Sequence, residues 1–340
     1  RGLNDGVRLF SEDLAEAGYR LAYSGKWHVS VEEGPADRGW EEFSVVAGGK
    51  GTHHGHQWEQ YAEIATEPEP LQRAEGQILR PGYGPYTTYG TMEGETHDDR
   101  TVQAALDALA DLAGGSQPWC LFVGATAPHD PYFARRRLLE MYDPRQVDLP
   151  PSYADELTDK PRVYKRMRDM RFGQLDQREV REAIRHFWAM CTRLDEQFGL
   201  LLHALDTAGQ AENTIVLYCA DHGDYCGDHG LCCKGVPAFR EAYHVPLAIR
   251  WPGGAEAGTV CDEFTTHADM ANTFRDIAGC PEPDSDMPGQ SIVPLLAGRR
   301  PDDWRDAMHT QFDGVEVYYT QRSVFTKDWK YVYNAYDYDE

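Results

Sequence analysis

The sequence contains no run of 18 or more apolar residues, the length that a membrane-spanning helix requires. Basic residues are also scarce, with 33 Lys and Arg against 56 Asp and Glu and a net charge of −23. Because nucleic-acid binding depends on a basic patch that faces the phosphates, we expect no nucleic-acid partner. The composition is still compatible with a small anionic substrate, since a local pocket of Lys and His can oppose the overall negative field.

The eight cysteines lack the spacing of a disulfide scaffold. A chain of this length buries about 75% of its unfolded surface and needs no disulfides to hold a core. Cys120 and Cys219 lie in apolar runs and Cys191 lies on an apolar helical stripe, so we predict that all three are buried, unpaired thiols. The remaining feature of interest is the cluster Cys226, Cys232 and Cys233.

Helices and strands alternate along the chain. Helices are predicted over 10–18, 98–115 and 180–205, the last from apolar residues spaced alternately by three and four: Ile184, Phe187, Cys191, Leu194, Phe198, Leu201 and Leu205. Short apolar segments read as buried strands over 20–24, 120–126, 214–220 and 246–251. This alternation predicts an α/β fold with a mostly parallel sheet covered by helices on both faces.

Chemically active side chains follow three of these strands. Lys26 and His28 come after the first, His129 after the second, and Asp221 with His222 after the third. In an open α/β sheet, ligands bind beyond the carboxyl ends of the strands. We therefore expect these residues to converge on one active site.

The third strand runs into "ADHGDYCGDHGLCCKG" (220–235), which could hold a metal in two ways. A structural zinc knot would use four ligands from His222, Cys226, His229, Cys232 and Cys233. Structural zinc prefers short paired Cys spacings, however, and the adjacent cysteines would point in divergent directions. A hydrolytic site that uses Asp221 and His222 is favoured. This pair does not select the metal, and a hard cation needs about six ligands in all.

Two further segments bear on this site. Lys234 can return along its loop to the same crevice and form an anion pocket with the histidines, although an ordinary surface lysine is the simpler interpretation. The histidine-rich stretch "THHGHQWEQ" (52–60) has Gly-rich flanks that predict an exposed loop, which could reach over the crevice toward a substrate.

The sequence resembles the type I sulfatases of the alkaline phosphatase superfamily. The resemblance is carried by "AGYRLAYSGKWHVS", "APHDPY", "LDEQFGLLLHALDTAGQAENTIVLYCADHGDYCGDHGL", "HADMANTFRDIAG", "GQSIVPLLAG" and "WKYVYNAYDYDE". It implies a three-layer alkaline phosphatase-like α/β fold with a large, mostly parallel mixed sheet. Residues 1–298 would form the catalytic domain, and residues 299–340 would begin a small C-terminal subdomain of antiparallel strands.

The resemblance also implies an activity: hydrolysis of a sulfate ester, with a sulfated carbohydrate as the favoured substrate. One divalent metal would assist a formylglycine nucleophile, with calcium usual in the family and manganese found in its phosphonate-hydrolase branch. The implied catalytic residues that contact sulfate or the leaving group are Lys26, His28, His129 and Lys234. Asp221 and His222 are the implied metal ligands, and His229 and Arg240 the candidate substrate-binding residues.

Two family elements are missing from this sequence. It contains neither the C/S-x-P-S-R motif that supplies the nucleophile nor the Asp-Asp pair that completes the metal site. Since both precede the GKWH segment in the family, we expect an excerpt of a longer protein, cut at both ends, whose nucleophile lies outside these residues and which is inactive alone. The alternatives are a phosphonate monoester or phosphodiester hydrolase of the same superfamily, and a non-catalytic carbohydrate-binding relative.

Overall fold

The computed structural model describes residues 2–4, 6–46, 72–80, 84–234, 239–281, 287–314 and 319–335. The histidine-rich stretch 52–60 lies outside the described residues. The helices are α1 (Phe10–Glu16), α2 (His97–Ala113), α3 (Arg136–Leu139), α4 (Arg162–Asp169), α5 (Gln177–Thr207), α6 (Arg240–Tyr243), α7 (His267–Ala278) and α8 (Val293–Leu296). The strands are β1 (Arg20–Lys26), β2 (Glu41–Val46), β3 (Gln77–Arg80), β4 (Gly84–Thr87), β5 (Tyr89–Thr91), β6 (Trp119–Gly124), β7 (Tyr132–Ala134), β8 (Val216–Cys219), β9 (Leu247–Arg250), β10 (Met308–Phe312), β11 (Gln321–Phe325) and β12 (Lys330–Asn334).

The parallel sheet that the sequence predicts is built around β1, which pairs in parallel with β2 on one side and with β6 on the other. Successive side chains of β1 point to opposite faces. Leu21 and Tyr23 pack in a cluster that includes Leu14 of α1 and Phe274 of α7. Ala22 packs against α2 on the other face. The sheet is thus the middle of three layers, as the resemblance implies.

The three predicted helices are present as α1, α2 and α5, with ends that differ from the prediction by at most a few residues. Among the described residues, no helix combines the length and apolarity needed to cross a bilayer. The predicted antiparallel C-terminal strands are also present, since β11 pairs with both β10 and β12.

The start of α5 is fixed by a buried carboxylate. Glu179 and Asp176 form a capping box, in which each side chain accepts the other's backbone N–H at 2.8 Å. Glu179 also accepts two hydrogen bonds from Arg73, at 2.8 and 2.9 Å, and one from the backbone N–H of Gly76. The Arg73 guanidinium outweighs burial and lowers the pKa of Glu179 to about 2.

Replacing Glu179 with Gln should make stability less sensitive to acid. A depressed carboxyl pKa stabilises the folded state above the unfolded pKa, and this stabilisation is lost as the pH falls toward the folded pKa. At pH 7 we expect the variant to lose about 2 kcal/mol of unfolding free energy in urea titrations. The difference in unfolding free energy between the variant and the parent should become smaller between pH 5 and pH 3. A gap that does not change with pH, like that expected for the exposed control Glu212→Gln, would contradict this account.

The prediction that segments 214–220 and 246–251 are buried strands of the parallel sheet is wrong in two respects. β8 and β9 pair with each other, and they run antiparallel. Their residues are half-buried or exposed, with Tyr218 38% and Leu247 37% exposed. A short apolar run predicts a strand but does not specify which strand it pairs with. The half-exposed Tyr218 packs its ring against Phe198 of α5, at a centroid distance of 5.3 Å.

The cysteine prediction is correct about pairing and wrong about burial. All eight thiols are free. Cys191 and Cys219 are exposed and Cys120 is half-buried, whereas Cys232 and Cys233 are buried. Cys191 belongs to the half of α5 whose apolar stripe is only partly covered, so helical periodicity identified the correct face but not the extent of its burial.

Candidate active site

The first element of the site is the end of β1. Gly25 adopts a φ of +117°, and a Cβ placed there would lie 2.1 Å from the carbonyl oxygen of Gly124 on β6. Only glycine permits this conformation together with such close backbone approach. The pairing of β1 with β6 continues to Gly25 and Gly124, so these glycines fix the position from which Lys26 extends.

Replacing Gly25 with Ala should therefore destabilise the protein more than a positive φ alone explains. Gly18 provides the matched control, because it has a φ of +88° but no atom within 4 Å of an added Cβ. We expect Gly18→Ala to cost about 1 kcal/mol and Gly25→Ala at least about 2 kcal/mol more, in urea denaturation. Equal losses for the two variants would show that the β1–β6 contact does not require glycine.

The second element is the loop after β6, which carries His129. The buried carboxylate of Asp98, at the start of α2, accepts the backbone N–H groups of Thr126 and Ala127 at 2.7 and 2.9 Å. His129 Nδ1 lies 2.8 Å from the carbonyl oxygen of Asp130. Since a carbonyl oxygen only accepts, Nδ1 carries a hydrogen, and Nε2 is the nitrogen that faces the site.

Five of the predicted residues lie in one continuous series of contacts, which we call the strand-end cluster: Lys26, Asp221, His222, Lys234 and His129. Lys26 Nζ lies 3.6 Å from Asp221 Oδ2, and Asp221 Oδ1 lies 3.8 Å from His222 Nε2. Lys234 Nζ lies 3.2 Å from His222 Nε2 and 2.9 Å from His129 Nε2. The structure thus brings together residues from three different strand ends.

The electrostatics of the strand-end cluster favour an anionic ligand. His222 Nδ1 donates to the Gly223 carbonyl at 2.8 Å, so both imidazoles direct Nε2 toward the Lys234 ammonium. Burial lowers the pKa of His222, and Lys234 lowers it further. Partial desolvation of the Asp221 carboxyl, whose side chain is 67% exposed, is outweighed by His222 and Lys26, which hold its pKa below the ordinary value. Two ammonium groups therefore face one carboxylate in a chain of net charge −23.

The donor atoms of Asp221 and His222 fit a divalent cation as part of its ligand set. The Asp221 side chain is 67% exposed, so its oxygens have lone pairs that face open space. The His222 ring donates its other nitrogen to a backbone carbonyl, the arrangement that commonly orients a metal-ligating histidine. Two donors are fewer than a hard cation requires.

A second group of ligand atoms was missed by the sequence reasoning. His129, Asp130 and Cys233 offer atoms that all lie within 4.8 Å of one another and could hold a metal ion. The Asp130 carboxylate makes three of the contacts in this group. It accepts hydrogen bonds from the Cys233 thiol and from the Tyr86 hydroxyl, the latter at 2.6 Å, and it pairs with His129 Nδ1 at 3.1 Å. Burial raises the pKa of the Cys233 thiol well above its ordinary value, so metal binding there would first require its deprotonation.

The remaining predicted residues lie elsewhere. His28 is exposed, two residues beyond Lys26, and its role stays a prediction. His229 Nδ1 pairs with Asp155 Oδ2 at 2.8 Å, and its ring stacks on Phe239 at 3.8 Å. Arg240 is exposed at the start of α6 and donates to His244 at 3.0 Å. The substrate contacts predicted for His229 and Arg240 stay predictions.

Comparison with known proteins agrees with this fold. A family model described as Sulfatase matches residues 2–280, and one described as N-sulphoglucosamine sulphohydrolase, C-terminal, matches residues 227–340. The choline-sulfatase of Rhizobium meliloti (strain 1021) is 27% identical over 356 aligned positions, which cover 97% of this chain and 64% of that protein. The chain thus spans less than two thirds of that relative's length.

Solved structures show the same fold. A phosphonate monoester hydrolase from Silicibacter pomeroyi superposes with a TM-score of 0.75 and 21% identity, over 99% of this chain and 73% of that one. A protein in complex with its substrate D-glucosamine-2-N,6-O-disulfate superposes with a TM-score of 0.68 and 20% identity, over 100% of this chain and 75% of that one. Because the Sulfatase model covers most of the sequence, this chain belongs to the sulfatase family.

Proposed function

We propose that this chain carries the substrate pocket of a sulfuric ester hydrolase that acts on a sulfated carbohydrate. The observation that carries the proposal is the strand-end cluster. It places the ammonium groups of Lys26 and Lys234 beside two imidazoles and one carboxylate, within a strongly acidic chain. Such a set can neutralise nonbridging oxygens as negative charge builds up on a tetrahedral centre.

The proposed roles follow from hydrogen-bonding capacity. Lys26 and Lys234 donate to sulfate oxygens, because an ammonium has only donors and a sulfate oxygen only accepts. His222 Nδ1 donates to a backbone carbonyl, so its Nε2 is the ring nitrogen available to a metal. Either His129 or the exposed His28 would donate a proton to the departing alcohol.

Asp221 and His222 would hold the divalent metal that the sulfatase family uses, with calcium favoured by the family and manganese the alternative. When bound, this ion would supply positive charge to the sulfuryl oxygens. Lys26, whose Nζ lies 3.6 Å from Asp221 Oδ2, would help to keep that carboxylate ionised toward the ion. The attack itself is attributed to a formylglycine nucleophile, by resemblance to the family; no residue of this chain is assigned to that role.

The carbohydrate class is supported by the solved relative that binds a disulfated glucosamine as its substrate. A second candidate activity, hydrolysis of phosphonate monoesters, is supported by the similar fold of the Silicibacter pomeroyi enzyme. Sulfate monoesters and phosphonate monoesters are both monoanions with a tetrahedral sulfur or phosphorus centre, so the strand-end cluster can serve either of them.

One experiment distinguishes the two candidate activities. The full-length protein is assayed with an aryl sulfate and with the matching aryl phosphonate monoester, at equal concentrations and with calcium or manganese added. A higher kcat/KM for the sulfate supports the proposal, and a higher value for the phosphonate supports the second candidate. Binding of a sulfated saccharide without turnover of either ester would indicate a non-catalytic relative.

A further inference from the structure

A second pocket lies beside α4 and the C-terminal strand β12, apart from the strand-end cluster. It has a volume of about 200 Å³. The lining residues that bear on its chemistry are Lys160, Tyr164, Phe239, Lys330, Val332 and Asn334. Two lysines thus stand at an otherwise mainly apolar and aromatic pocket, in a chain where acidic residues greatly outnumber basic ones.

Each lysine of this pocket has an acidic neighbour, but its ammonium group has three N–H donors and can also donate to a ligand. Lys160 pairs with the exposed carboxylate of Asp159 at 2.6 Å. Lys330 Nζ lies 5.8 Å from the centre of the Phe239 ring, within range of a cation–π contact. Burial lowers the pKa of Lys330, Glu241 opposes this effect, and Lys160 adds to it by a smaller amount. Because both lysines line the same pocket, their N–H groups can donate together to one anion.

The aromatic wall of the pocket is held rigidly. Phe239 stacks on His229 with an interplanar angle of 16°, and it contacts the edges of Tyr164 and Tyr225 at ring distances of 5.3 and 6.1 Å. The hydrogen bond from His229 to Asp155 fixes the stacked imidazole in turn. A preformed apolar wall with a few convergent polar groups is the usual character of a small-molecule site.

The pocket lies within reach of the strand-end cluster. Phe239 follows Lys234 by five residues, which limits their Cα–Cα separation to about 19 Å. The connection is shorter through hydrogen bonds. The N–H of Gly223, next to His222, donates to the carbonyl of Ala242 at 3.0 Å, and the N–H of Ala242 donates to the carbonyl of Phe239 at 3.3 Å. An oligosaccharide can span such a distance.

We infer that this pocket binds a second anionic group, sulfate or carboxylate, of a saccharide whose scissile sulfate lies at the strand-end cluster. The inference rests on the proposed function and narrows its substrate class to carbohydrates with at least two anionic groups. Lys160 and Lys330 would donate to the anion, and the Phe239 ring would pack against the sugar. The same two lysines disfavour a cationic substrate such as choline sulfate, since its ammonium group would meet like charge.

The test compares binding of two glucosamine-containing tetrasaccharides by the full-length protein in isothermal titration calorimetry: a disulfate, with one sulfate on its first and one on its last sugar, and the monosulfate that lacks the second of these groups. We expect the disulfate to bind more tightly, and Lys330→Gln to reduce this preference about tenfold, the effect of losing one charge-assisted hydrogen bond. Phe239→Leu should weaken the binding of both sugars, because it removes the aromatic wall. The control Lys165→Gln, which changes an exposed lysine of α4 paired with Asp169, should keep the preference.

The result that overturns the inference is an unchanged preference in Lys330→Gln, or equal affinity of the parent protein for the two sugars. Turnover of an aryl sulfate is measured in parallel to separate the two proposals. If the preference depends on Lys330 but no ester is hydrolysed, the second pocket is supported and the proposed hydrolase activity is contradicted. If an ester is hydrolysed but no such preference is found, the activity is supported and the second pocket is contradicted.

Discussion

Replacing Lys234 with Met in the full-length protein is expected to lower kcat/KM for an aryl sulfate by about three orders of magnitude. The loss of a single donor to a developing oxyanion costs about 100- to 1,000-fold in other hydrolases. Lys234 should lie at the upper end of that range, because its ammonium also contacts the Nε2 atoms of His129 and His222 at 2.9 and 3.2 Å. Methionine keeps most of the side-chain volume, so the variant removes charge with little change in packing.

The control for this variant is Lys165→Met on α4. Lys165 is exposed and pairs only across one helical turn with Asp169, at 2.6 Å, so its replacement should leave kcat/KM within about twofold. Far-ultraviolet circular dichroism and the urea midpoint would show whether each variant keeps the fold. If Lys234→Met stays folded and within tenfold of the parent, Lys234 does not stabilise the transition state and the proposed anion pocket is wrong.

The part of the site that was predictable from the sequence is the part governed by local pattern. Alternating helices and short apolar runs located β1, β6 and β8, and the carboxyl ends of strands gather where ligands bind. Lys26 and Asp221 are far apart in the sequence, yet their side chains lie 3.6 Å apart, as the strand-end argument predicts, even though β8 pairs with β9 and not with β1. The pairing of β8 with β9 was not predictable, because a four-residue apolar strand carries no signal for its partner or its direction.

Long-range side-chain contacts account for the rest of what was missed. Asp130 and Cys233 lie about one hundred residues apart in the sequence, and only the folded chain joins the loop after β6 to the loop after β8. The signal for Asp130 was present in "APHDPY", as a carboxylate directly after a strand-end histidine, but it had no visible partner. His229 pairs with Asp155 and stacks on Phe239, two contacts between distant segments that its local sequence does not indicate.

The two candidate groups of metal ligands make opposite predictions. If Asp221 and His222 hold the ion, Asp221→Asn in the full-length protein should weaken calcium or manganese binding by at least about tenfold, since changes even outside the ligand shell cost 10- to 100-fold. The amide can still accept the backbone N–H of His222 at Oδ1, 3.1 Å away in the parent, so the loop should keep its conformation. Metal affinity is measured by isothermal titration calorimetry after chelation and dialysis, and sulfate-ester turnover should fall with it.

Cys233→Ser provides the opposing arm of this experiment. The Cys233 thiol donates to Asp130 within a buried group, and a serine hydroxyl can take over that hydrogen bond. It is a poor substitute for a thiolate toward a soft metal, however, because it stays protonated at neutral pH. We therefore expect Cys233→Ser to leave the binding of calcium and manganese within about twofold, as hard cations prefer oxygen ligands. Retained affinity in Asp221→Asn together with lost affinity in Cys233→Ser would move the metal to His129, Asp130 and Cys233. The strand-end cluster would then bind the anion without a metal ion on Asp221.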